Sequence, residues 1–180
     1  MDCMTVSIVF FGIQVLIQLP KTRECAVLME MIKKHDYLAN SIITADRGYE
    51  KYNLIACCIE NNQKFLIHTK DIDVYSSVLL NLNLSDEEFD LDVTKILTRK
   101  QTNETKTNKQ KYTYLAYSSD FDYFDEELFY EMNPRVVRFK ITDDTYECLV
   151  TNLARDEFDL NELKKMHHMR WDIETANASI

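Results

Sequence analysis

The apolar and polar positions of the first 70 residues alternate between strand patterns and helix patterns. Residues 5–19 are rich in Val, Ile and Phe and are interrupted once, at Gly12, which is typical of two short buried strands. Residues 22–35 have apolar positions at helical spacing. A compact β-branched run at 41–45 then predicts a strand that ends in a tight turn at Asp46.

The same alternation continues through the next segment. Apolar positions recur at helical spacing over 49–61, and residues 64–69 predict another strand. Strands and helices in this order imply an α/β core with at least one right-handed parallel crossover. We therefore expect residues 1–71 to form part of such a core.

Residues 72–157 break this rhythm because they contain short alternating runs and no long amphipathic helix. The pattern predicts a β-rich insertion subdomain, with a hairpin formed by 135–141 and 146–151. The Lys-, Thr- and Asn-rich segment at 99–111 is predicted to be an exposed loop.

The last predicted element is a helix within residues 158–180. Asp159 precedes Glu162 by three residues, an arrangement that satisfies free N–H groups at a helix start. Beyond it, residues at spacings of three and four share one stripe of the helix, which we expect to face a site. The stripe comprises His167, Arg170, Trp171 and Glu174.

Two distant carboxylates are candidates for metal-dependent chemistry. Asp46 lies at the carboxyl end of a central strand, where open α/β sheets usually bind ligands, and Gly48 allows close backbone approach. The alternative, that Asp46 is a turn former or helix cap, carries equal weight. Glu174 with Arg170 fits a metal ligand and a phosphate contact, but an exposed i, i+4 ion pair explains the spacing more simply.

The neighbouring aromatic and histidine side chains have simpler interpretations. Trp171 is a core residue or a base-stacking surface, and burial statistics favour the core. Adjacent histidines on a helix point in different directions, and no third ligand at metal spacing accompanies His167 and His168, so we do not predict zinc there.

Composition limits the class of protein. The chain has 180 residues with 46% hydrophobic content, enough for one domain with a core. Its five cysteines include no Cys-x-x-Cys spacing, which argues against both a disulfide framework and a structural zinc site and favours a reducing cytoplasm. The apolar stretch at 6–19 is shorter than the ~20 residues of a spanning helix and contains Gln14 and Gln18, so no membrane association is expected.

The net charge of −9 argues against a free-standing DNA-binding domain, because such domains gain affinity by neutralising phosphates. The basic residues are nevertheless concentrated at 95–111. Lys106, Lys109 and Lys111 are therefore candidates for contact with a DNA backbone, although a mobile linker has the same composition.

Two motifs together resemble the DDE transposases of bacterial insertion sequences, specifically the IS-four group. The first is Ala-Asp-Arg-Gly-Tyr at 45–49, similar to the Asp-Arg-Gly-Tyr at that group's second catalytic Asp. The second is His167-x2-Arg170-x3-Glu174, similar to the signature Tyr-x2-Arg-x3-Glu-x6-Lys with His in place of Tyr. Segments 135–147 and 151–158 add to the resemblance, which covers most of 13–174.

The resemblance implies an α/β fold with an RNase H-like mixed sheet, interrupted by a β-rich insertion before the C-terminal catalytic helix. It also implies DNA transposition by strand cleavage and transfer with two Mg²⁺ or Mn²⁺ ions. Asp46 and Glu174 would then be catalytic metal ligands. By the same resemblance Arg170 would contact phosphate, and Arg47 and Tyr49 would line the DNA path. The other candidate DNA-binding residues come from the residue pattern itself, and they are Trp171, Lys106, Lys109 and Lys111. The implied partners are transposon-end DNA and, through association, a second copy or a full-length transposase.

The chain also departs from the family pattern. The family's first Asp lies on a strand before two further strands and a helix, whereas here only two strands precede the helix at 22–35. The signature Lys would fall at position 181. We therefore expect a truncated transposase from the bacterial cytoplasm, nucleoid-associated if DNA-bound and inactive alone. The alternatives are a regulatory fragment that binds DNA or transposase, and a decayed gene product without function.

Overall fold

The described part of the chain comprises residues 4–10, 13–19, 24–34 and 41–167 of a computed structural model. It contains ten strands and four α-helices. The strands are β1 Met4–Phe10, β2 Ile13–Leu19, β3 Ser41–Ala45, β4 Lys64–Thr69, β5 Phe89–Asp92, β6 Lys95–Thr98, β7 Tyr112–Tyr114, β8 Phe129–Met132, β9 Arg135–Thr142 and β10 Thr145–Thr151. The helices are α1 Glu24–Lys34, α2 Tyr52–Glu60, α3 Asn103–Thr107 and α4 at 160–167, with a 3-10 turn at Arg47–Tyr49.

Seven strands form the main sheet in the order β2-β1-β3-β4-β10-β9-β5. β3 and β4 are parallel and α2 connects them, while the other neighbouring pairs are antiparallel. This mixed sheet with a parallel crossover confirms the predicted α/β class. The connection also brings the carboxyl ends of β3 and β4 to the same edge of the sheet.

Side chains alternate across the sheet, so each strand serves both faces. On β4, Phe65 and Ile67 pack in the larger core with α1 and α2, whereas Leu66 packs on the opposite face. There it joins a smaller core that includes Leu163 and Met166 of α4. The apolar residues of β4 are fully buried because helices cover both faces of the central strands.

α2 ends in a Schellman motif built on asparagine. Asn62 has a positive φ of 51°, Gln63 N donates to Cys58 O at 2.8 Å, and Asn62 N donates to Ile59 O at 3.1 Å. Asn61 Nδ2 also donates to Cys57 O at 2.8 Å. These bonds satisfy the last carbonyls of the helix and turn the chain directly into β4.

Residues 72–157, predicted as a β-rich insertion, contribute to both sheets. β9 and β10 form the predicted hairpin and, with β5, extend the main sheet beyond β4. β6, β7 and β8 form a second, three-stranded sheet in the order β7-β6-β8. Part of this segment therefore continues the core sheet that carries β3.

Bidentate ion pairs hold β9 to the segments beside it. Arg138 Nε and Nη2 donate to the two carboxylate oxygens of Asp71 at 2.9 and 3.0 Å. Arg135 binds Asp90 of β5 in the same way, at 2.8 and 2.6 Å. Both arginines are buried, and pairing with a carboxylate is what makes a buried guanidinium tolerable.

Among the helices that the structure describes, none is long and apolar enough to cross a membrane.

Candidate functional site

Asp46 directly follows β3 and begins the 3-10 turn. Its Oδ1 accepts a hydrogen bond from Gly48 N at 2.7 Å, and Tyr49 N donates to Asp46 O at 3.0 Å. The side chain therefore caps the turn, as the simpler of the two sequence interpretations expected. Oδ2 accepts no hydrogen bond within the described residues, so the cap leaves one carboxylate oxygen available to another ligand.

The two residues that flank Gly48 in the turn have opposite environments. The Arg47 side chain is 54% exposed, and its Nη2 donates to Glu147 Oε2 at 2.9 Å. Tyr49 is 0% exposed and lies in the larger core. Arg47 is therefore at the surface beside Asp46. Tyr49 anchors the turn from the core, whereas a residue that lines a DNA path would have to be exposed.

Glu147 connects the turn to two histidines. His68 Nδ1 lies 2.9 Å from Glu147 Oε1, and the ring centroids of His68 and His167 are 5.0 Å apart. Phe139 packs edge-on against His167 at 5.7 Å. One ligand atom from each of His68, Glu147 and His167 lies within 4.8 Å of the other two. We call these three residues the His/Glu cluster.

The cluster is largely buried, which shapes its electrostatics. The side chains of His68 and Glu147 are 1% and 12% exposed, and His167 is 4% exposed. Burial alone raises the pKa of the Glu147 carboxyl, but the hydrogen bond with His68 and the attraction of His68, Arg47 and His167 outweigh it, so the pKa lies below its ordinary value. Glu147 is thus held as a carboxylate.

The strand register places the His/Glu cluster beside Asp46. In the parallel pair of β3 and β4, Thr44 is the partner of Leu66 and Ala45 is the partner of Ile67. The next positions along the two strands are Asp46 and His68. Because side chains alternate, both continue the face that carries Leu66, the face covered by α4.

The sequence profile of the family described as "Transposase DDE domain" matches residues 20–180. The chain belongs to the transposase DDE domain family. This family carries out DNA transposition, binds DNA at transposon ends and normally uses divalent metal ions. No curated protein matches the chain significantly.

The transposase domain has the mixed α/β architecture of the RNase H-like fold, as the resemblance implied. Its Asp46 turn lies at the carboxyl end of β3. Arg170, Trp171 and Glu174 lie outside the described residues, so their assignments stay predictions. The start of the helix that leads to them is described, and Asp159 Oδ1 accepts a hydrogen bond from Glu162 N at 2.9 Å, which confirms the predicted cap.

The basic segment of the transposase domain is partly structured. Thr102 Oγ1 accepts from Thr105 N at 3.2 Å and caps α3, so the predicted exposed loop at 99–111 contains a short helix. Lys106, Lys109 and Lys111 are all exposed. They are the basic side chains of this segment that remain available for a phosphate backbone.

Lys95, which the sequence places in the same basic segment, is buried. It is 2% exposed, and its Nζ donates to the carbonyls of Leu80, Lys109 and Gln110 at 3.4, 3.1 and 3.3 Å. Burial lowers its pKa to about 8. Lys95 therefore fixes the backbone of the lysine-bearing loop and offers no surface charge.

Sequence reasoning missed His68 and Glu147 as site residues. Each sits in an apolar strand, and each shares its face with a core leucine, Leu66 or Leu149. A polar side chain at an inward position of such an alternation is the signal that could have identified them. The potential ligand atoms beside His167 come from His68 of β4 and Glu147 of β10, so ligand spacing along the helix could not reveal them.

Proposed function

We propose that this chain is the middle and late part of the catalytic domain of a bacterial insertion-sequence transposase of the IS-four group. Its chemistry is metal-dependent cleavage and transfer of DNA strands, with Asp46 and Glu174 as ligands of Mg²⁺ or Mn²⁺. The observation that carries the proposal is the Asp46 carboxylate on a tight turn at the carboxyl end of β3, in a chain of the DDE family.

Asp46 suits a hard divalent cation. Such ions prefer carboxylate oxygens, and the hydrogen bond from Gly48 fixes Oδ1 while Oδ2 accepts nothing from the described residues. The bond from Gly48 also orients the carboxylate, as partners of metal ligands commonly do. When bound, the ions would activate water or a DNA 3′-hydroxyl and stabilise the leaving oxygen.

Arg47 and the exposed lysines suit the DNA strand. Arg47 uses Nη2 for Glu147, and the other donors of its guanidinium would bind a phosphate of the DNA strand. Tyr49 contributes by holding this turn from the core. Lys106, Lys109 and Lys111 would provide a second contact with the backbone. We place the protein at the nucleoid in the bacterial cytoplasm.

We further propose that the chain is inactive alone. DDE chemistry needs a third carboxylate, and β1 and β2, the two described strands on one side of β3, contain no Asp or Glu. Activity would then depend on association with a full-length transposase, because a second copy of this chain would lack the same carboxylate.

Metal binding and strand cleavage test the proposal separately. Asp46→Asn and Glu174→Gln should each weaken Mn²⁺ binding by at least about tenfold in calorimetric titration, while the exposed Asp73→Asn should not. The purified chain with Mn²⁺ should leave labelled transposon-end DNA uncut. Equal Mn²⁺ affinity of Asp46→Asn and Asp73→Asn would overturn the assignment of Asp46 as a metal ligand. If the purified chain nicks the DNA and Asp46→Asn abolishes the nicking, the proposal that the chain is inactive by itself is wrong.

A second candidate function is a regulatory fragment that binds DNA or transposase, and the three exposed lysines favour it. Neutralising Lys106, Lys109 and Lys111 to Gln together should reduce the slope of log affinity against log salt concentration by up to about 3. A matched control neutralises three exposed lysines elsewhere, Lys34, Lys51 and Lys165. No DNA binding at low salt, or equal effects of both triple variants, would contradict this function.

A further inference from the structure

The His/Glu cluster joins three elements that are distant in sequence. His68 comes from β4, Glu147 from β10 and His167 from α4. Their ligand atoms lie within 4.8 Å of one another. His68 and His167 are buried, and the Glu147 side chain is 12% exposed. No part of the proposed strand-transfer chemistry uses His68 or His167, so the cluster needs an explanation of its own.

The donor set differs from that of the Asp46 site. Two imidazoles and one carboxylate suit zinc and related transition metals, whereas Mg²⁺ prefers oxygen ligands alone. The three donors also leave a fourth position for water in a tetrahedral complex. The chemistry therefore points to a different class of ion from the one proposed at Asp46.

The surroundings already provide what a ligating carboxylate needs. Arg47 Nη2 donates to Glu147 Oε2 at 2.9 Å, which leaves Oε1 directed at His68. Outer hydrogen bonds of this kind orient ligands and tune their affinity. Phe139 packs edge-on against His167 and restricts rotation of its ring.

We propose that His68, Glu147 and His167 bind a zinc-type transition metal ion at a site separate from Asp46, and that this ion clamps α4 to the main sheet. Metal-to-ligand distances of about 2.0–2.2 Å place tetrahedral ligand atoms about 3.4 Å apart. On metal binding, His68 Nδ1 and Glu147 Oε1, now 2.9 Å apart, would move apart to this value, and the wider separations, which reach at most 4.8 Å, would shorten to it. The rival explanation is that the cluster is only a hydrogen-bonded histidine–carboxylate pair with a stacked second ring.

Co²⁺ and Zn²⁺ are the direct probes. The purified chain should bind one Co²⁺ with visible d–d bands of a tetrahedral complex, and Zn²⁺ should displace it. Zn²⁺ at a hundred times its dissociation constant should raise Tm by about 5–10 °C, and Mg²⁺ at the same concentration should not. Glu147→Gln and His68→Gln should abolish both effects, whereas Asp46→Asn should retain them.

A variant that leaves the cluster intact makes the assignment independent of whether cluster variants fold. The chain has four histidines, so the double variant His35→Gln, His168→Gln retains only His68 and His167. X-ray absorption of its zinc complex should show two imidazole ligands and no sulfur. No Co²⁺ bands and no zinc-dependent Tm shift in the unaltered chain would overturn the proposal, as would sulfur ligation or the loss of both imidazoles in the double variant.

Discussion

Replacing Lys95 with Met tests whether a buried lysine charge makes stability depend on pH. The pKa of Lys95 is lowered from 10.5 to about 8 by burial, and the Nζ donates to three backbone carbonyls of the segments that it holds. The unfolded chain keeps its proton up to about pH 10.4, where an exposed lysine titrates. Between about pH 8 and pH 10.5 the unfolded state therefore binds more protons than the folded state.

The sign of the effect follows from this proton difference. Stability rises with pH wherever the unfolded state holds more protons, so the wild type should gain stability relative to Lys95→Met as the pH increases through this window. The gain is at most the difference between 10.5 and about 8, which corresponds to about 3 kcal/mol at about 1.4 kcal/mol for each pH unit. Well below pH 8 both states carry the proton, and the stability difference should be constant.

Urea denaturation at pH 7, 8, 9 and 10 measures the effect. The difference in unfolding free energy between wild type and Lys95→Met should change by less than about 0.5 kcal/mol from pH 7 to 8 and by about 2 kcal/mol more by pH 10. The exposed Lys106→Met is the matched control and should show no such slope. If the difference in unfolding free energy between wild type and Lys95→Met does not depend on pH, burial does not lower the pKa of Lys95. The loss of the three hydrogen bonds adds a constant to this difference and does not affect the test.

Three further substitutions test the fold around the site. Pairing with Arg138 lowers the pKa of Asp71 to about 2, so the wild type should lose about 1 kcal/mol of stability as the pH falls from about 4 through 2, a value halved because the Asp71 side chain is 35% exposed. Asp71→Asn should lack this contribution in urea titrations at each pH, with Asp73→Asn as the control. Leu163 is fully buried between α4 and the sheet, so Leu163→Ala should lower the free energy of unfolding by about 2–5 kcal/mol in urea denaturation and should increase hydrogen exchange in α4. Unchanged exchange in α4 would contradict this packing role. Asn62 has a positive φ, so Asn62→Ala should lower the free energy of unfolding by about 1 kcal/mol in urea denaturation, whereas Asn62→Gly should lower it less. Equal effects of the two variants would show that the left-handed backbone at this position does not determine the stability change.

The central strands and their turn were predictable because each carries a local signal. The predicted bounds 41–45 and 64–69 match β3 and β4, since both are short apolar runs ended by polar residues. Asp159 was predicted as a cap from its spacing to Glu162, and its side chain does accept the bond from Glu162 N. These features depend on neighbours within a few residues.

The features that sequence did not reveal depend on long-range pairing. Alternation in β9 and β10 predicted a hairpin but could not show that β10 pairs with β4 and so extends the core sheet. Lys95 is one of the basic residues at 95–111, and composition does not distinguish a lysine that donates to three carbonyls from one in water. The His/Glu cluster required the sheet order itself, which places residues 68 and 147 on neighbouring strands.

The carboxylate of Glu147 faces two neighbours through one rigid group. Oε1 meets His68 and Oε2 meets Arg47, so the two oxygens cannot move independently. A movement of Oε1 toward the histidines therefore also moves Oε2 and changes its hydrogen bond with the Arg47 guanidinium. The buried His/Glu cluster is thus coupled to the surface turn, and a shift of α4 would change the position of the Arg47 guanidinium.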